Sequence, residues 1–384
     1  MSAPGALLVV LPAAPGSSVP ASTPVAGLPL LRRIALAARR GGFSAVRAAG
    51  FAAEDAALLA GTSAAPLALD AMPDPLPRRI VLLVAATVPQ AAWLSRLREM
   101  PVEPEHLHAE DGVAAVIETQ DPARVVAALA GAGTMPEAMT RLAGLLKAVT
   151  GSLPAGGHVV VRDRSDLARA EAWLLQSLVK PSEGFMSRHF ERRISLALTR
   201  RLAKTAITPN AMTLISLAVG FTGAALFLTP SLQLAAALLF LAHSILDGCD
   251  GELARLKFME SPRGAALDFW GDNLVHAAVF ACMAVGWSRA ASSAWPLAIG
   301  AAAVISTAIV AVAAYRRDLL TAAPDDDAAT SSRVVEALAH RDFIYLIVAL
   351  AALGKAYWFI PLTAVGAPAF LALLLWSSRR TPRA

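Results

Sequence analysis

Short apolar runs separated by amphipathic stretches fill the first 178 residues, and none reaches the ~18 residues that a membrane helix needs. Alternating or continuous apolar runs predict strands over 7–11, 80–85, 114–118 and 158–162. Apolar positions at helical spacing predict helices over 30–40, 91–99, 122–132, 139–150 and 166–179. Strands alternating with helices read as a soluble α/β domain on a largely parallel sheet. The apolar start at 6–14 lacks a basic leader and is broken by Pro12, so it reads as a first strand rather than a secretion signal.

Past residue 207 the pattern changes to long apolar runs, and spanning segments are predicted at 210–228, 232–254, 264–287, 294–315, 342–357 and 360–377. The second half is therefore expected to be an all-α six-helix transmembrane bundle, with its last boundary at Pro361. Between the halves, Phe190, Ile194, Ala197, Leu198 and Leu202 form an apolar stripe, while Arg192, Arg193, Arg200, Arg201 and Lys204 form a basic face. That combination predicts an interfacial helix on an anionic cytoplasmic leaflet. The expected division is 1–178, 179–206 and 207–384. Pro209 stands at a helix start, where Asn210 can cap or point at a ligand. Arg188, Arg255, Arg263, Arg316, Arg379 and other basic residues fall on one side of a six-span topology and Arg289 alone on the other, which places both termini on the cytoplasmic face of a cell inner membrane. Asp325, Asp326 and Asp327 read as solvated loop residues between spans four and five.

Composition sharpens this reading: 56% of residues are hydrophobic and 16% charged, an integral-membrane balance. The net charge of +5 is modest, and nucleic acid is not among the expected partners. Cys249 and Cys282 both lie in apolar helical segments and offer no disulfide framework.

The candidate chemistry lies between Asp247 and Asp272. On a helix, Asp247, Asp250 and Ala254 share one stripe, and Gly264, Asp268 and Asp272 share another, so two facing helices can bring four acids together. Four ionised carboxylates at the edge of a bilayer repel and are costly to dehydrate unless divalent cations neutralise them. All-oxygen ligation suits Mg²⁺, Mn²⁺ or Ca²⁺ rather than zinc. Gly251 and Ala254 leave room for a ligand beside the acids, and Arg255 places a fixed cation one turn away, where a phosphate would lie. His243 and His276 sit four residues outside the acids on the same stripes. Each could orient a carboxylate or be a satisfied polar residue of the bundle interior. A cation transporter is the rival reading, but its carboxylates would be spread at midplane over repeated, discontinuous helices, whereas these fall within one short stretch. A non-catalytic membrane scaffold is the third.

The spacing D-x-x-D-G-x-x-A-R-x8-G-x3-D-x3-D, filled by Asp247, Asp250, Gly251, Ala254, Arg255, Gly264, Asp268 and Asp272, resembles the signature of the CDP-alcohol phosphotransferases, also called CDP-alcohol phosphatidyltransferases. The resemblance implies one or two divalent ions, Mg²⁺ or Mn²⁺, held by Asp247, Asp250, Asp268 and Asp272, with Asp272 also the base on an acceptor hydroxyl. It implies a CDP-linked donor contacted by Asp250, Gly251, Ala254, Arg255, Gly264 and Asn210, release of CMP, and a homodimer with an active site in each protomer. Arg263, Lys257, Arg316 and Arg317 are candidates for a phosphate on an alcohol or polyol-phosphate acceptor, or are topology residues.

The opening Val25-Ala-Gly-Leu-Pro-Leu-Leu-Arg-Arg-Ile looks like a sugar-nucleotide-type nucleotidyltransferase, and the two-domain plan resembles bifunctional enzymes joining an inositol-phosphate cytidylyltransferase to a di-inositol phosphate phosphate synthase. Yet the triphosphate loop would fall at Leu11-Pro-Ala-Ala-Pro-Gly-Ser-Ser, without a basic side chain, and the metal acid near Ala85-Ala-Thr-Val-Pro-Gln, without a carboxylate. Near the domain's end Asp163 and Asp166 are the only matches for that family's second metal aspartate, and Asp166 reads more simply as the N-cap of the following helix. The front domain is therefore expected to be a degenerate, inactive nucleotidyltransferase.

Overall fold

The computed structural model describes residues 5–14, 19–110, 112–150, 153–179, 190–320 and 343–366, with the side chains of 150 and 317–320 outside that description. The chain forms two compact units, Met1–Gln176 and Ser177–Ala384.

The first unit carries β1 (Ala6–Leu11), β2 (Pro24–Val25), β3 (Leu28–Pro29), α1 (Leu30–Arg40), β4 (Ala45–Ala48), α2 (Ala53–Ala56), β5 (Ala64–Pro66), β6 (Arg79–Val84), β7 (Thr87–Pro89), α3 (Ala91–Glu99), β8 (His106–Glu110), β9 (Ala114–Glu118), α4 (Pro122–Ala130), α5 (Met135–Ala143), β10 (Lys147–Thr150), β11 (His158–Val160) and α6 (Asp166–Gln176). Seven strands form one sheet in the order β10-β8-β9-β6-β1-β4-β5. Pairing is parallel except around β9, which runs antiparallel to both β6 and β8. β1 is buried along its whole length between β6 and β4, as befits an interior strand covered on both faces. Leu7, Val9, Leu11, Ile80 and Leu82 pack with Val125, Leu129, Met135 and Leu142 of α4 and α5. The alternate residues Leu8, Val10, Val81 and Leu83 are equally buried and point to the opposite face.

Two local readings are corrected here. The helix expected over 139–150 is α5, four residues earlier, followed by the edge strand β10. Its start is capped by Thr134 in the run Thr134-Met-Pro-Glu: Glu137 N–H donates to Thr134 Oγ1 at 3.4 Å, and Glu137 Oε2 accepts from the N–H of Gly133, just before the cap, at 2.8 Å. β10 forms where β8 offers it a parallel edge. β8 itself was not read, although its polar and apolar residues alternate. The cap at α6 is shared. Asp163 Oδ1 accepts from the Ser165 amide at 2.7 Å and from Asp166 N–H at 3.3 Å, while Asp166 reaches back to the Arg162 amide at 2.9 Å. Hydrogen bonds from the Ser165 side chain and amide lower the Asp163 pKa, so both acids serve a helix start.

The second unit contains α7 (Arg192–Leu202), α8 (Pro209–Leu226), α9 (Gln233–Lys257), α10 (Pro262–Ala291) and α11 (Trp295–Leu320), followed by helices Phe343–Ala352 and Ala356–Gly366. Among the described residues four helices are long and apolar enough to cross a membrane: Pro209–Leu226, Pro230–Lys257, Pro262–Ala291 and Trp295–Arg316. The fifth expected span is a helix of ten residues. The break after it falls at Gly354, with φ +68°, rather than at Pro361, which sits inside the following helix. The 325–327 aspartates lie outside the described residues.

Small residues let these helices touch. A Cβ on Gly271 of α10 would come within 2.8 Å of Leu217 on α8, one on Gly220 of α8 within 2.7 Å of Val275, and one on Gly300 of α11 within 2.1 Å of Ala284. At the end of the bundle away from the α9–α10 turn, Tyr357 Oη donates to the Phe227 carbonyl at 3.1 Å, and the Ala356 amide donates to Gln233 Oε1 at 2.8 Å.

Candidate metal centre

The turn between α9 and α10 decides where the acids meet. α9 ends on Phe258 in the left-handed conformation at φ +58°, and α10 starts at Ser261, whose Oγ accepts from Gly264 N–H at 3.0 Å with Pro262 in the first turn. This hairpin folds the acidic stripe of α9 onto that of α10. Asp250 lies seven residues before the end of α9, about 10 Å along its axis, and Asp268 is six residues into α10, about 9 Å. The acids therefore sit within the helical bundle near one of its ends.

Oxygen atoms of Asp247, Asp250 and Asp268 lie within 4.8 Å of one another. Asp247 and Asp250 are buried, and Asp268 Oδ1 is buried without a hydrogen-bond partner among the described residues. At that separation two like charges repel by about 3–4 kcal/mol at an effective dielectric near 20. Three converging carboxylates are thus stable either with shared protons or with a cation, and an oxygen-only donor set fits a hard divalent ion. Asp272 takes a different place, with its Oδ1 3.4 Å from His243 Nε2.

Helix α8 supplies what the motif does not contain. Thr213, buried on α8, donates its hydroxyl to Asp250 Oδ2. His243 Nδ1 lies 3.0 Å from the Ser216 carbonyl, which can only accept, so Nδ1 carries a proton. A stable contact between Nε2 and Asp272 then needs a second proton on one of those two atoms. His243 thus meets a carboxylate, whereas His276 lies between the rings of Phe240 and Phe343, at 5.4 and 5.6 Å.

The remaining candidates distribute around the site. Arg255 folds back over Gly251, with Nη1 3.1 Å from where a Cβ would stand, and a Cβ on Gly264 would be 3.0 Å from Asn210 Oδ1. Gly264 therefore lets α8 and α10 approach at the Asn210 end. Ala254 is half-buried and Asn210 exposed. Lys257 Nζ donates to the carbonyls of Thr205 and Ile207 at 2.8 and 3.0 Å, which ties it to the connection between α7 and α8. Arg263 and Arg316 are exposed, and the side chain of Arg317 is outside the described residues. Arg192 corrects the basic-face expectation: it turns into the bundle, with Nη1 2.5 Å from Glu252 Oε1. Thr213, Ser216 and Glu252 were not read from sequence. Only Arg192, Ser195 and Thr199, spaced along one stripe of α7, signalled a polar inner face.

A helical domain that gathers aspartates from two consecutive apolar helices offers an oxygen-only donor set of the kind a hard divalent cation takes. Residues 206–374 match the family model of the CDP-alcohol phosphatidyltransferases. Similar proteins include one from Rubrobacter xylanophilus named bifunctional IPC transferase and DIPP synthase, 34% identical over 170 residues that cover 40% of this chain and 38% of that protein. Another of the same name from Archaeoglobus fulgidus is 37% identical over 134 residues, 34% of this chain and 26% of that protein. These matches span less than two fifths of either relative's length. A crystal structure of Mycobacterium tuberculosis phosphatidylinositol phosphate synthase with CDP-DAG bound aligns with TM-score 0.35 and 17% identity, covering 47% of this chain and 94% of that one.

Proposed function

We propose that the chain is a divalent-metal-dependent CDP-alcohol phosphotransferase that moves a phospho-alcohol group from a CDP-linked donor to a hydroxyl acceptor and releases CMP. The observation that carries this reading is the convergence of Asp247, Asp250 and Asp268 to within 4.8 Å, from two helices bearing the complete family spacing. Asp247, Asp250 and Asp268, with Asp272 beside them, would hold one or two Mg²⁺ or Mn²⁺ ions. Such ions neutralise charge developing on the diphosphate and make CMP a better leaving group. Thr213 fixes the rotamer of Asp250. Arg255, held over Gly251, offers a guanidinium to a donor phosphate, and Asn210 and Gly264 line the approach for the nucleotide. Asp272 accepts the proton of the attacking hydroxyl, and His243 holds a proton against its Oδ1.

The names of the relatives favour an acceptor of the polyol-phosphate class, with Arg263 and Arg316 as the cations free to meet its phosphate. Lys257 is a weaker choice because two carbonyls already hold it. α7 would lie on the anionic cytoplasmic leaflet: Phe190, just before it, and Ile194 are 48% and 43% exposed, and Ala197, Arg200, Arg201 and Lys204 line a cavity of about 370 Å³. Six spans, both termini and the acids on the cytoplasmic side, and a homodimer complete the reading. α11 supports the dimer or a lipid contact, since Ile305 and Ile309 are 59% and 48% exposed.

The front domain is nucleotidyltransferase-like and inactive in this reading. In support, the strand ends that would cradle a triphosphate are covered: the Met135 amide donates to the Pro12 carbonyl at 3.0 Å, and a Cβ on Gly50 would lie 2.3 Å from the Gly133 carbonyl oxygen. Ala85 and Ala86, after β6, are buried and carry no acid. The test of the main activity is CMP release by the purified chain from CDP-diacylglycerol and CDP-inositol, with Mg²⁺ or Mn²⁺ and a panel of inositol phosphate, glycerol phosphate and free polyol acceptors. Metal-dependent CMP release with any pair supports the reading. Its absence with every pair, from protein that stays folded in detergent, refutes it.

A further inference from the structure

Behind the catalytic face of α9 lies a second buried carboxylate that the motif leaves unspecified. Glu252 is fully buried and sits two residues after Asp250, on the face of α9 turned away from the Asp247–Asp250–Ala254 stripe. Among the described residues its three hydrogen-bond partners all come from α7. Arg192 Nη1 lies 2.5 Å from Oε1, Ser195 Oγ donates to Oε1 at 2.7 Å, and Thr199 Oγ1 donates to Oε2 at 2.6 Å. These three residues follow one stripe of α7, so the helix turns a single polar edge toward α9 while Phe190 and Ile194 stay exposed on its other side. The contact is close along the whole turn: Cys249 Sγ is 3.6 Å from the Ser195 carbonyl, and Gly248 leaves its Cβ position 3.5 Å from Arg192 Nη1.

A buried carboxylate without partners is expelled or protonated, whereas one met by a guanidinium and two hydroxyls locks its helix in one rotation and one depth. A rotation of α9 that freed Glu252 would swing Asp247 and Asp250 away from Asp268, because all three α9 carboxylates are fixed to the same two helical turns. We propose that Glu252 is a positioning residue: through Arg192, Ser195 and Thr199 it clamps the interfacial helix to the rear of α9 and so fixes Asp247 and Asp250 for the divalent cation. This rests on the metal-dependent reading above for the nature of the ligand, but the clamp has a readout of its own. Cys249, covered by α7, is a built-in reporter, since its thiol is fully buried while the clamp is closed.

The test uses the full chain in a Cys282→Ala background, leaving Cys249 as its one thiol. Two quantities are read: the rate of Cys249 alkylation by a maleimide, and Mn²⁺ affinity by electron paramagnetic resonance in the absence of nucleotide. Glu252→Ala, and the milder Ser195→Ala/Thr199→Ala pair should the first fail to fold, are expected to speed alkylation and to weaken Mn²⁺ binding by about tenfold or more. Arg192→Met/Glu252→Gln removes the charge from both sides together, so it should restore slow alkylation and most of the Mn²⁺ affinity that Glu252→Ala loses. Unchanged alkylation in the clamp variants overturns the clamp. Fast alkylation with wild-type Mn²⁺ affinity overturns its positioning role. If the parent chain itself bound no Mn²⁺, the metal-dependent reading would fail, and the alkylation rates would still report the clamp.

Discussion

Replacing Asp272 by Asn separates two roles that the four acids could otherwise share. The oxygens of Asp247, Asp250 and Asp268 converge within 4.8 Å, while Asp272 Oδ1 stands 3.4 Å from His243 Nε2. The substitution is near-isosteric and leaves the three converging acids intact, so donor binding should change little, and saturating Mn²⁺ offsets any weakening of the metal site. What is lost is an acceptor for the hydroxyl proton, an effect of about 10²- to 10⁴-fold for a positioned general base, or roughly 3–5 kcal/mol of barrier. The assay is initial-rate CMP release at saturating Mn²⁺, with donor KM measured beside kcat, because loss of a transition-state interaction lowers kcat while KM stays near its parent value. Asp247→Asn is the contrast, expected to raise the Mn²⁺ concentration needed for half-maximal rate. Retention of more than about a tenth of parental turnover, a loss under ~1.4 kcal/mol, would refute the assignment of Asp272 as base.

Thr213→Val removes the hydroxyl donor to Asp250 without changing side-chain shape, and should cost about 10-fold or more in apparent metal affinity, read as a shift in the Mn²⁺ activation curve. An unshifted curve would mean that Thr213 does not set the Asp250 rotamer. The Asp272→Asn chain incubated with CTP, Mg²⁺ and inositol phosphate should form no pyrophosphate, and robust formation would show a working nucleotidyltransferase. Differently tagged Asp250→Ala and Asp272→Ala chains should co-purify in mild detergent without recovering activity. Recovery would show carboxylates shared between protomers, and failure to co-purify would count against the dimer.

Much of this protein was legible locally. Strand β1, helix α1 and strand β9 follow from short-range pattern, because a strand buried on both faces must be apolar throughout and an amphipathic helix must repeat near 3.6 residues. The acidic motif is equally local: fixed spacing on two helices joined by a tight turn nearly dictates that Asp247, Asp250 and Asp268 converge. Edge strands such as β10, and the reversal of β9 within the sheet, depend on which neighbour is available, and short-range pattern does not carry that.

The amino-acid sequence by itself determined the division into an α/β half and an apolar helical half, the acidic cluster and the family that its spacing resembles. Only the tertiary structure decided which partners hold those acids. Thr213 and Ser216 reach Asp250 and His243 from α8 because glycines at 220, 264 and 271 let helices approach. Arg192, which by composition alone belongs on a basic surface, turns inward because Glu252 is buried across from it. Hydrogen bonds and ion pairs between residues dozens of positions apart are set by helix rotation and depth, which packing chooses and the spacing within one helix does not express.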